Sequence, residues 1–179
     1  MKKYKIISLL FIIIFLLSSC GKATENNKDT DKNEIIPSNF IYTPFSGSSK
    51  INEILNNNVI DKLYFEEWKD VVTTVDIVNI YQKYLDIWQN ELDIVVKKIE
   101  ENISDDELNE FRKSQEAWVA FYETNPNIAV DIYYDKMGAG TIIHEIYGNK
   151  ALFMKRYRAL ELAEYCYLLT GNFEFNFNT

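Results

Sequence analysis

Beyond residue 49, apolar residues recur every three or four positions over most of the chain, the spacing that lines one face of an α-helix. The clearest run is Val78, Tyr81, Leu85, Trp88, Leu92, Val95 and Ile99, an unbroken stripe that predicts a helix over about 74–102. Two shorter segments precede it, near 50–57 and 61–72, the second spaced by Tyr64, Trp68, Val71 and Val75. Ser104 followed by Glu107 is a capping box, in which the serine oxygen takes an orphan amide hydrogen and the glutamate reaches back to the cap. A helix therefore starts there, striped by Leu108, Phe111, Gln115, Trp118 and Tyr122. Asn125-Pro126 predicts its end, because proline disfavours helical geometry in the residue before it. Residues 126–140 read as a loop closing on Met137-Gly138-Ala139-Gly140, and a last helix over about 141–170 carries Ile143, Ile146, Tyr147, Met154, Tyr157, Leu160 and Leu168. Gly171 marks its stop. The tail Phe173-Glu174-Phe175-Asn176-Phe177 alternates with period two and reads as an extended segment laid on the helices, with a short strand as the alternative. Short connections make the helices antiparallel neighbours. The expected fold class is all-α: an antiparallel helical bundle of about three long helices plus one or two short N-terminal helices, occupying residues 50–179.

The first 49 residues obey no such period. Lys2, Lys3 and Lys5 form a positive start, residues 6–17 are an apolar run too short to span a bilayer comfortably as a permanent helix, and Leu17-Ser18-Ser19-Cys20 matches a lipobox. Residues 1–19 are thus expected to be a lipoprotein signal peptide, with Cys20 as the lipidated first residue of a mature chain held at the extracytoplasmic face of the cell membrane. Residues 20–49 are expected to be a tether. Positions 21–37 offer almost nothing apolar to offset the entropy of ordering, and Pro37, Pro44 and Ser46-Gly47-Ser48-Ser49 extend irregular structure.

Charge narrows the partners. The chain carries 19 basic and 27 acidic side chains, a net charge of −8. Loss of residues 1–19 removes three lysines, leaving 16 basic side chains and a charge of −11. That excess argues against nucleic acid and against a polybasic membrane contact, and it fits a cationic partner or plain solubility. Cys20 and Cys166 are the two cysteines; with the first committed to lipid, the fold has no intramolecular disulfide and must stand on its apolar core. Cys166, among Tyr165, Tyr167 and Leu168, reads as a buried thiol.

Candidate chemistry is sparse. The single histidine, His144, has no nucleophile beside it. The Met137–Thr141 glycine motif resembles a phosphate cradle but lacks the following lysine and a preceding strand, and reads better as a hinge. Carboxylates are scattered without metal-ligand spacing. No catalytic residue, metal or cofactor is assigned. Two polar residues, Gln115 and Arg158, interrupt apolar stripes, and a buried polar side chain requires a partner. They form either a recognition surface or an internal network with Glu161 or a main-chain carbonyl. Trp88 and Trp118 are expected to be buried against the other helices.

These residues carry a family resemblance. The run from Glu107 to Trp118 with its Gln115-x-x-Trp118, then Gly138-Ala139-Gly140-Thr141, then Arg158-x-x-x-Leu162 is similar to the LprI-type lysozyme inhibitor domain, over about 76–170. Upstream, Glu91-Leu92-Asp93 resembles the family's acidic Glu-Leu-Asn segment. The resemblance implies that Gln115, Trp118, Gly138, Gly140, Arg158, Glu161 and Leu162 are motif positions with a structural role. It implies a non-enzymatic protein that binds a protein partner, a cationic lysozyme, and touches the membrane only through its N-terminal lipid. An envelope adaptor lipoprotein that meets another envelope protein is the alternative. Two elements are candidates for the contact: the corner at 100–107, and the loop at 125–140 where Asp131 and Asp135 flank Tyr133 and Tyr134. This chain departs from the family pattern in reading Tyr122-Glu123 where an Arg-Asp pair is usual, and in lacking both family cysteines.

Overall fold

The computed structural model describes Pro37 and residues 40–177; the expected signal peptide, Cys20 and most of the tether lie outside the described residues. Among the described residues five helices follow one another: α1 (Ser49–Asn56), α2 (Val59–Trp68), α3 (Thr74–Glu100), α4 (Asp105–Met137) and α5 (Ile143–Thr170). No strand occurs among the described residues, and the all-α bundle stands as read from the sequence. Local chemistry sets most of the boundaries. Ser48, Asn58, Thr73 and Ser104 each cap a helix by accepting a backbone N–H three residues on, and the Ser104–Glu107 capping box has a counterpart in Thr73–Asp76. Gly138 and Gly171 end α4 and α5 in the left-handed region, at φ 61° and 74°, where a Cβ is penalised.

α5 is the centre of the assembly: it packs on α3, α4 and α1, while α2 packs on α3. Its buried positions accordingly lie all round it, from Ala151 and Leu152 through Lys155, Arg156, Ala159 and Leu160 to Ala163 and Cys166. The single stripe read from the sequence is therefore wrong for α5, since Tyr147, Tyr157 and Leu168 point into solvent. A helix with neighbours on several sides has no single apolar face. The stripe of α3 fares better: Tyr81, Trp88, Leu92, Val95 and Ile99 are buried, joined by Ile80 and Tyr84, and Val75 and Val78 are exposed in the first turns. α3 and α5 come closest at Gly148, where an added Cβ would overlap the Tyr81 ring. Only glycine fits that approach, because overpacking forces backbone shifts.

The largest correction concerns α4. It does not end at Asn125-Pro126 but runs on for eleven residues, to Met137, with Pro126 buried inside it. The proline removes its own N–H and costs roughly 3 kcal/mol. Neighbouring side chains supply bonds of their own to the carbonyls, Thr124 Oγ1 donating to the Ala120 oxygen at 3.1 Å and Asn127 Nδ2 to the Glu123 oxygen at 2.8 Å. Beyond the proline, Ala129 and Tyr133 face Ile146 and Asn149 of α5 across a shared groove. The packing of α4 on α5 outweighs the local signal, so the expected 126–140 loop is helix as far as Met137, and a five-residue connection, 138–142, leads into α5.

Three buried acids fasten the segments around α3 and α5. Asp61 of α2 takes a two-pronged ion pair from Arg156 of α5, Nε to Oδ1 at 2.8 Å and Nη2 to Oδ2 at 2.6 Å, with both side chains out of water. Arg156 Nη2 also donates to the Phe40 carbonyl at 2.8 Å, and the guanidinium lies over the Phe40 ring. Glu164 accepts from the Ser46 N–H at 2.6 Å, the Phe45 N–H at 3.1 Å and the Tyr42 hydroxyl at 3.1 Å, which fixes residues 42–46 across α5. Glu91 accepts from the Asn176 N–H at 3.2 Å. With Phe173 buried and Phe175 edge-on to Trp88, that bond lays the tail along α3 as the extended segment expected of it. Cys166 is a buried free thiol whose pKa burial pushes up.

Burial pushes the Glu164 carboxyl up, but the amides of Ser46 and Phe45 and the Tyr42 hydroxyl outweigh it and hold the group below its ordinary 4.5. A carboxyl depressed on folding contributes stability that is present above its unfolded value and lost as pH falls through the folded one. Glu91, raised by burial against the tail amides and Lys98, works in the opposite direction and is lost as pH rises. Acid melting curves should therefore fall below about pH 4.5, with that part of the slope missing in Glu164→Gln. An identical slope in the variant would remove Glu164 from the acid response.

Candidate functional site

The surface that stands apart is the α4–α5 hairpin. α4 touches α5 along one side only, and its sequence-predicted stripe, Leu108, Phe111, Gln115, Trp118 and Tyr122, is half-buried throughout. Trp118 is thus not a core residue, whereas Trp88 is. Trp118 stacks on Tyr122 at 5.1 Å and forms one wall of a groove of about 440 Å³ with Phe121, Lys150, Phe153, Met154, Tyr157, Arg158 and Glu161. A second groove, of about 560 Å³, continues from Lys150 toward the tip between Tyr133 and Met137 of α4 on one side and Ile142 of the turn with Ile146 and Asn149 of α5 on the other.

The motif positions divide among three jobs. Arg158 is buried and donates from Nη1 to Glu161 at 2.6 Å and from Nη2 to Ser114 Oγ at 3.1 Å, so it ties α5 to α4. That is the internal network with Glu161 read from the sequence. Gln115, next to Ser114, keeps its amide nitrogen out of water, and neither that nitrogen nor Arg158 Nε has a hydrogen-bond partner among the described residues. Trp118, Arg158 and Glu161 share one groove, while Leu162 lies in the core. Gly138 and Gly140 form the tip turn, Gly140 N–H donating to the Gly138 oxygen at 2.8 Å. This places them as a cap rather than a cradle.

The proposed contact residues Asp131, Tyr133, Tyr134 and Asp135 lie on the last turns of α4, all exposed, not on a loop. Met137 beyond them is 71% exposed. The other candidate corner is closed by the Ser104–Glu107 box and by Arg112 Nε donating to Glu100 at 2.8 Å. On the opposite side of the hairpin, exposed His144 lines a groove with Tyr81, Leu85, Val130 and Tyr147.

Sequence reasoning missed Lys155, the most unusual cation here. It is 8% exposed, has its ammonium 4.9 Å from the centre of the Tyr122 ring, and makes no ion pair among the described residues. Burial lowers its pKa, against the pull of Asp86 and Asp93 on α3, and burial pushes Tyr122 up to about 12. Arg156, Asp61 and Glu164 were missed as well. The one available signal was the cluster Lys155-Arg156-x-Arg158 within a buried helix, since charges there demand partners.

Fold and site together define a small helical domain whose buried polar chemistry holds helices in place, and whose α4–α5 hairpin carries two apolar-lined grooves. The family model described as Lysozyme inhibitor LprI matches residues 68–162, from the end of α2 to Leu162 of α5. This chain belongs to the LprI lysozyme inhibitor family. No curated protein and no solved structure matches the chain.

Proposed function

We propose that this chain is a lipid-anchored extracytoplasmic protein that binds and inhibits a cationic lysozyme. The observation that carries the reading is the family match, which spans all of α3 and α4 and most of α5. Two features support it. The acidic balance attracts a basic enzyme over distances beyond contact and raises its concentration near the chain. The hairpin tip then supplies a blocking element: Tyr133, Tyr134 and Met137 give contact area, and Asp131, Asp135 and Glu145 complement a basic rim. Tyrosines carried on a helix lose little entropy when they bind. This hairpin takes the place of the loop anticipated from the sequence.

A turbidity assay with the purified chain tests the reading. Lysozyme activity is expected to fall, and inhibition should weaken as salt shortens the Debye length from about 10 Å to about 3 Å. Tyr133→Ala with Tyr134→Ala should weaken it at every salt concentration. Full inhibition by that double variant would take the tip out of the mechanism. No inhibition by the parent would remove lysozyme and leave the adaptor role, which predicts co-purification with an envelope protein. The anchor has its own test: Cys20→Ser should leave the chain in the aqueous phase of a detergent partition, and normal detergent-phase recovery would overturn lipidation.

A further inference from the structure

One apolar face of the hairpin is left unexplained by an acidic protein that attracts a basic one. Phe121, Ile128 and Ile132 are spaced by seven and four residues, which puts them in one row along α4, and each is more than half exposed. Phe121 is also a wall of the groove formed with Trp118, Phe153, Met154 and Tyr157. A ridge and a groove therefore lie side by side on one face. With Tyr157, the ridge leaves on the order of 400 Å² of apolar surface in water, the size at which a patch marks an interaction site. That is about half of the roughly 800 Å² that each partner contributes to a stable interface, before the groove walls and rim are added.

We propose that this face holds a second copy of the chain in a two-fold dimer. A two-fold axis across the face sets each copy's ridge into the other's groove, so the same patch serves both sides. Charge favours a second copy over a cationic enzyme here. The charged residues lining the groove beside the ridge are Lys150 and Arg158 against Glu161, a set with no acidic excess within a chain of net charge −8. Such a face offers a basic partner no attraction, and two acidic copies repel one another least across it.

The test is thiol crosslinking of the full chain in the membranes of the cells that express it. Asn125→Cys places a thiol within the row, between Phe121 and Ile128, while Cys166 is buried and out of reach of the reagent. A short bismaleimide is expected to give a product of twice the chain mass, absent from the parent and lost when Ile128→Glu is added. Ile128 is 58% exposed in the single chain, so that variant should keep its helical circular dichroism. Sedimentation of the parent at micromolar concentration should likewise give a dimer, and Ile128→Glu a monomer. A monomeric parent, or a crosslinked product that survives Ile128→Glu, overturns the proposal. So does a monomer whose lysozyme inhibition is abolished by Ile128→Glu, which would assign the face to the enzyme.

Discussion

Trp88→Ala should lower the stability of the domain by roughly 3–5 kcal/mol, and Trp118→Ala by clearly less. The two tryptophans sit at equivalent places in their stripes, yet Trp88 is 1% exposed and meets Phe175 edge-on, whereas Trp118 is half-buried at the lip of a groove. Removing the first leaves a cavity that surrounding helices cannot close. Removing the second widens a groove already open to water, so only part of its transfer energy is lost. Urea melts followed by circular dichroism at 222 nm separate the cases, and equal shifts in midpoint would show that α4 is packed more tightly than its exposure indicates. Loss of lysozyme inhibition in Trp118→Ala without loss of fold would move that groove into the binding surface.

Arg156→Ala should cost a similar 3–5 kcal/mol. It strands Asp61, 1% exposed, as a carboxylate without its cation, and it also frees the Phe40 carbonyl. Most of that loss is the penalty of the orphaned charge, not the strength of the pair. Arg156→Met combined with Asp61→Asn should therefore destabilise by much less than the sum of the two single variants, since residues in contact do not add. Arg158→Ala is the control. Its partners Glu161 and Ser114 lie nearer the surface, and water can replace the lost donors, so its effect should be smaller. Strict additivity in the Arg156–Asp61 cycle would mean that the two charges do not depend on each other.

The positions of α3 and of the start of α4, the Gly171 stop and the all-α class were legible because each depends on residues within one or two turns. A serine three residues before a glutamate caps a helix wherever it occurs, and a three-four stripe needs no knowledge of the partner helix. The motif that carries the family resemblance is also linear, so Trp118, Arg158 and Glu161 could be named before their meeting in one groove was known. Tertiary structure decided the rest. Pro126 carries a correct local statement about its own N–H, but whether the helix resumes depends on what α4 gains against α5. The stripe of α5 dissolved because that helix has neighbours on several sides. Arg156 and Arg158 are two residues apart and chemically alike, yet one pairs with an aspartate 95 positions away and the other with Ser114 and Glu161. Periodicity reports how a helix faces; it carries no information about which distant carboxylate will stand opposite, because that is fixed only when the helices pack.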